Sequence, residues 1–292
     1  MMSRSFPLIF VLLWSSAFIS GKIIVEDASA FAALGFRFVL VMAGFWAVGM
    51  LWRERFAVTG SQAVYCIGTG VLFHGFYLGG VFYAQSQGMS AGLSALIVSL
   101  QPVLTAACAG PLLGEHLNKW GWLGIAFGFC GAVLVIGLDI GGDVPLIAFI
   151  AVIISLLAVS AGTLWTKAVP SDVPLTVSNS YQALGASLFH GVMMLWAEDS
   201  FISFTPAFIA AMGWQILAVS FGAFTILMIL IKSGSASQTA TLFFLVPPVS
   251  AVMAWMILGE TLSVQDVTGF CLASFGVYLA TRAWAKHQAP SS

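Results

Sequence analysis

Apolar stretches of about 20 residues, separated by short polar punctuation, run through the whole sequence. A ~30 Å hydrocarbon core takes about 20 helical residues to cross. Inside that core a backbone must satisfy its own polar groups, which within one segment only a helix does. The pattern predicts ten transmembrane helices, near residues 5–25, 30–52, 62–84, 88–113, 119–138, 146–167, 175–197, 207–231, 235–258 and 265–284. The connections are short, so no soluble domain is expected between them.

The pattern also repeats itself. LQPVLTAACAGPLLGEHL, from Leu100, returns 145 positions later as LVPPVSAVMAWMILGETL, from Leu245. The shift lays Pro102 on Pro247, Gly114 on Gly259, Glu115 on Glu260, Leu117 on Leu262, Gly124 on Gly269 and Gly131 on Gly276. Two five-helix repeats are therefore expected, residues 1–142 and 143–292. An odd number of spans turns the second repeat upside down relative to the first, an arrangement typical of transporters.

Charge sets the expected orientation. Arg4, Arg53, Arg55, Lys119, Lys167, Lys232, Arg282 and Lys286 fall on the side that holds both termini; Lys22 alone falls on the other, and Arg37 lies within helix 2. The positive-inside rule then places both termini in the cytoplasm. Glu115 faces the cytoplasm and Glu260 the exterior. The N-terminus has the look of a signal peptide, with Arg4, an apolar run and Ala28-Ser29-Ala30, but Lys22, Glu26 and Asp27 crowd the region before that cut. It is read as the first transmembrane helix.

Composition agrees. Hydrophobic residues make up 60% of the chain and charged residues 7%, against about 25% charged in globular proteins. Mean hydropathy is +1.02. The net charge of −1 offers no basic cluster for nucleic acid. Cys66, Cys108, Cys130 and Cys271 are scattered in apolar surroundings with no metal or redox spacing, so no metal or cofactor is expected. No HExxH, GxSxG elbow or paired mid-membrane acid supplies a catalytic apparatus. No enzyme is expected, and a channel would show a pore ring or filter instead of this duplication.

The sequence resembles the EamA family of the drug/metabolite transporter superfamily. Trp14-Ser15-Ser16-Ala17-Phe18, Phe36-Arg37-Phe38 and the twin Pro…Leu-Gly-Glu-x-Leu blocks carry the likeness. His74, Tyr77 and Lys167 look more narrowly like bacterial amino-acid exporters of the YddG type. The resemblance implies an all-α bundle of ten helices, built as two inverted repeats around a central cavity. It implies export of amino acids or similar metabolites across the bacterial inner membrane by a protein working as a monomer in lipid. A multidrug exporter of the same fold is the nearest alternative; it would be favoured by a cavity acid, which the sequence lacks.

Candidate residues follow from polarity at depth. Arg37 lies about 10 Å of helical rise into helix 2, where a cation is costly and faces protein or water. It is expected to pair with a gate acid such as Glu260, to snorkel toward Glu26 and Asp27, or to meet a substrate carboxylate. His74 and Tyr77, three apart on helix 3, are expected to line the cavity, while Gly75 and Gly79 pack another face. Trp14 is too deep for an interfacial belt. Ser94, Ser155, Gln238 and Thr241 are candidate cavity polar groups, with close helix packing as the plainer role. His190 reads as a packing residue. Pro102 and Pro247-Pro248 are expected to kink helices 4 and 9 as matched hinges, with Glu115 and Glu260 at the adjoining turns. Ser263 and Asp266 resemble a capping box for helix 10, with Asn118 its counterpart for helix 5. All eleven acids map to span ends or loops, so facilitated transport is expected over ion coupling.

Overall fold

A computed structural model describes residues 6–101, 104–105, 108, 119–139, 144–168, 172–196, 200–227 and 245–288. These residues form the helices α1 (Phe6–Asp27), α2 (Ala30–Leu51), α3 (Gly60–Ser86), α4 (Ala91–Val98), α5 (Lys119–Asp139), α6 (Leu146–Ala168), α7 (Leu175–Trp196), α8 (Pro206–Leu227), α9 (Val246–Leu258) and α10 (Val264–Gln288). Each overlaps one expected span. Among the described residues, α1, α2, α3, α6 and α8 are long and apolar enough to cross a membrane, by length and composition. Large apolar side chains such as Leu157, Leu188 and Leu217 lie exposed along helix faces, as suits a multi-pass protein solvated by lipid. Pro102, Glu115, Asn118, Gln238 and Thr241 lie outside the described residues.

The helix starts have local causes. At Thr59 the hydroxyl accepts from Gln62 N at 3.3 Å, while the Gln62 side chain accepts from Thr59 N at 2.9 Å, a reciprocal box that opens α3. Ser90 opens α4 and Thr205 opens α8, with Pro206 in its first turn. The expected Ser263–Asp266 box is present: Asp266 N donates to Ser263 Oγ at 3.0 Å and Ser263 N to Asp266 Oδ2 at 2.9 Å. The described α9 begins at Val246, so Pro247 and Pro248 occupy its first turn rather than a helix interior. A missing N–H costs little there, and the pair does not bend the described helix.

Two stretches depart from α geometry. Val71–Tyr77 within α3 and Gln215–Ala223 within α8 are π-helical. The 145-residue shift carries residues 71–77 onto 216–222, inside the second stretch. A π turn adds a residue to the helical repeat and is common at functional sites.

The chain forms two compact units, each drawing on both sequence halves. One comprises Met1–Ile19, Gly88–Leu146 and Gly222–Ser292. In it α5 crosses α10 at contacts only glycine-rich faces allow. A Cβ on Gly131 would lie 2.6 Å from Gly269 O and 2.5 Å from Ala273 N; one on Gly276 would lie 2.6 Å from Gly124 O and 2.3 Å from Gly128 N. The shift maps 124, 128 and 131 onto 269, 273 and 276, so each contact is the other with the repeats exchanged. As numbering rises along α5 it falls along α10, so the two matched helices run antiparallel. In the same unit Phe10, Val11 and Leu227 form a small core with Trp14 packed on it.

The other unit comprises Ser20–Gln87 and Ile147–Phe221. Here α2 packs on α7, its match residue for residue under the shift. Gly35 meets Met194 and His190 near one end, while Glu54, just beyond the other end of α2, takes the Thr176 hydroxyl. These two helices are antiparallel as well. Leu34, Phe38 and Phe45 join Ala183, Ala186, Phe208 and Met212 in the principal core of this unit. At the end of α1, the Asp27 carbonyl accepts from Ser203 N at 2.8 Å and its carboxylate from the Thr205 hydroxyl, tying that turn to the start of α8.

Candidate functional site

Arg37, His74, Tyr77, His190 and Ser220 come together in the second unit. They reach one locality from α2, α3, α7 and α8. Close backbone approach makes this possible: Gly70 leaves no room for a Cβ against Gln182 O, at 2.1 Å, and Gly185 lies likewise against Ile67 O, at 2.5 Å. Gly75 and Gly79 receive Phe189 and the His190 ring, the close packing expected of that face.

Arg37 is 3% exposed. Its Nη2 donates to Ser220 Oγ at 2.9 Å and its Nε to the same oxygen at 3.3 Å. No carboxylate among the described residues bonds it. The guanidinium carbon sits 5.2 Å from the Phe38 ring centre, a cation–π contact. Of the expected partners, the Asp27 carboxylate accepts from the Thr205 hydroxyl. Glu260 accepts from Ala91 N at 2.8 Å and Gly92 N at 3.5 Å, capping the N-terminus of α4. Within its own unit Arg37 is bonded to Ser220 and not to Asp27.

His190 is fully buried and packs against Phe31, Phe38 and Phe189, as its reading as a packing residue expects, and its ring is hydrogen-bonded as well. Its Nε2 lies 3.0 Å from His74 O. A carbonyl only accepts, so Nε2 carries the proton and Nδ1 keeps its lone pair. That Nδ1 is buried without a partner. The ring stacks on Phe38 at 5.9 Å, and Phe38 in turn meets the His74 ring at 4.9 Å. His74 O, the acceptor of this bond, belongs to the π segment, where the regular α-helical hydrogen-bond ladder is interrupted. Tyr77 lies three residues beyond His74 on the same segment and is buried. Ser220, on the other π segment, was not singled out from sequence: one serine in an apolar run carries no signal of its own.

The remaining candidates sit elsewhere. Ser155 Oγ donates to Ala151 O at 3.0 Å within its own helix, and a Cβ on Gly80 would press on it at 2.2 Å. It is a helix-contact residue. Ser94, in the first unit, donates to Ser90 O at 2.8 Å and is fully buried. Trp14, also in the first unit, is half-buried beside Phe10, 5.3 Å between ring centres. The acids among the described residues lie at helix ends or in loops.

The EamA-like transporter family model matches residues 5–137 and 146–282. An uncharacterized transporter of Bacillus subtilis, YvbV, is 28% identical over 69% of this chain, and the match spans 65% of that relative's length. A Salmonella typhimurium protein named "Probable amino-acid metabolite efflux pump" is 23% identical over 93% of this chain and 92% of its own. An uncharacterized transporter of Archaeoglobus fulgidus is 24% identical over 93% of this chain and 96% of its own. A solved crystal structure, 18% identical, superimposes with a TM-score of 0.70 over 97% of this chain and 98% of that one, which shows a shared fold.

Proposed function

Because the chain belongs to the EamA-like transporter family, we propose that it is a facilitative, alternating-access carrier exporting amino acids or similar small zwitterionic or neutral metabolites. It sits in a bacterial inner membrane with ten spans, both termini cytoplasmic, and works as a monomer. The two family domains are inverted repeats. The reciprocal antiparallel crossing of α5 and α10 carries this reading, since equivalent helices that span a membrane in opposite senses belong to halves of opposite topology.

The named function of the Salmonella relative supports the substrate class. So does the polarity of the buried cluster: one guanidinium, two imidazoles, a phenol and a hydroxyl recognise a small polar molecule, while its lack of a described carboxylate disfavours cationic drugs. Arg37, His74 and Tyr77 stay in the substrate path, joined by His190 and Ser220. Glu260, and Glu115 by its repeat position, serve the turns beside the moving helices. Without a mid-membrane acid, the carrier runs down its substrate gradient.

Counterflow in proteoliposomes tests this. Labelled amino acids outside are expected to accumulate transiently when the same compounds are loaded inside, with no need for a proton gradient. Saturable flux that requires the gradient contradicts the facilitative mechanism. Failure of every amino acid to exchange contradicts the substrate class.

A further inference from the structure

We propose that Arg37 and His190 form a split recognition site for the two charged ends of an α-amino acid, the guanidinium taking the carboxylate and the His190 Nδ1 lone pair taking the ammonium. This rests on the transport reading above and specifies its substrate as a zwitterion with both groups free.

Arg37 supplies the first half. Two of its donors, Nε and Nη2, converge on a single neutral oxygen, Ser220 Oγ. A guanidinium edge is built to give two parallel hydrogen bonds to two oxygens of a carboxylate. A buried cation with a hydroxyl as its partner is under-compensated, and an arriving anion restores the balance. Ser220 holds the place that the carboxylate takes.

His190 supplies the second half. Its fully buried ring is fixed by the bond to His74 O, which leaves Nδ1 as an acceptor with no donor. An ammonium group supplies that donor. Both groups rest against the Phe38 ring, Arg37 by its guanidinium carbon and His190 by stacking. One locality therefore offers a donor fork seeking an anion and an acceptor seeking a donor. Neither a lipophilic amine nor a sugar satisfies both. Arg37, His190 and Ser220 are all buried, so α2, α3, α7 and α8 must part for substrate to reach them, releasing Arg37 from Ser220.

The test uses wild-type protein in proteoliposomes and the labelled amino acid that exchanges best. Its unlabelled form, its amide (no carboxylate) and its N-acetyl derivative (no ammonium) compete for counterflow. Each derivative is expected to inhibit about tenfold more weakly than the free amino acid. Arg37→Gln is expected to close the gap for the amide alone, and His190→Phe the gap for the N-acetyl compound alone. Equal inhibition by all three in wild type overturns the proposal, a result needing no variant to fold. Gaps that survive the matching substitution overturn it too. Absence of all amino-acid exchange removes the amino-acid substrate class proposed above and this inference with it.

Discussion

Glu260 closes one helix and opens another. Gly259 ends α9 with φ at 69°, a left-handed conformation that glycine adopts without strain. The turn presents Glu260 to the free N–H groups of Ala91 and Gly92 at the start of α4, where a carboxylate meets both unsatisfied donors and the positive end of the helix dipole. Glu260→Ala should cost about 1–2 kcal/mol of stability, read as a lower thermal midpoint in detergent than wild type. An unchanged midpoint would mean that the contact contributes nothing. The motif was visible because it occurs twice, but its partner was not: a sequence does not say which helix end comes near. His190 was harder still, since an imidazole in an apolar run looks the same whether it fills space or fixes a lone pair.

At the scale of elements, the glycine crossing and the two π segments divide what was legible. Glycines 124, 128, 131, 269 and 276 declare small faces on α5 and α10, and the shift pairs them, though not that they would meet one another. Gly276→Leu should drive a side chain into the Gly128 and Gly124 backbone, costing at least about 1–3 kcal/mol and lowering the yield of folded protein. The check is the monodisperse peak in size-exclusion chromatography, compared with Gly213→Leu, where no atom lies within 4 Å of the new Cβ. Equal losses would contradict the close crossing. The π turns escaped notice because hydropathy with a 3.6-residue period cannot register one inserted residue. His74 and Tyr77 were expected on one α-helical stripe; they lie in a π-helical segment, whose wider turn changes the angle between residues three apart. Pro247 and Pro248 fall in the first turn of the described α9, and the residues before Leu245, which the hinge reading needs, lie outside the described residues.

For the whole molecule, self-comparison was the most informative reading. The family matches at 5–137 and 146–282 follow the same division as the repeat, yet the compact units combine helices from both halves. Sequence similarity shows which segments are equivalent, whereas packing decides which are neighbours. Antiparallel contacts between equivalent helices, α5 with α10 and α2 with α7, join these two facts, and on them the proposal of inverted halves rests. The most direct measurement is labelling of single cysteines by a membrane-impermeant maleimide. His116→Cys and Thr261→Cys, each in a chain whose four native cysteines are replaced by alanine, would be compared in intact cells and inverted vesicles. Position 261 is expected to react from outside the cell and position 116 only from the cytoplasmic face. Labelling of both from the same side would contradict inverted halves, and with them the carrier mechanism.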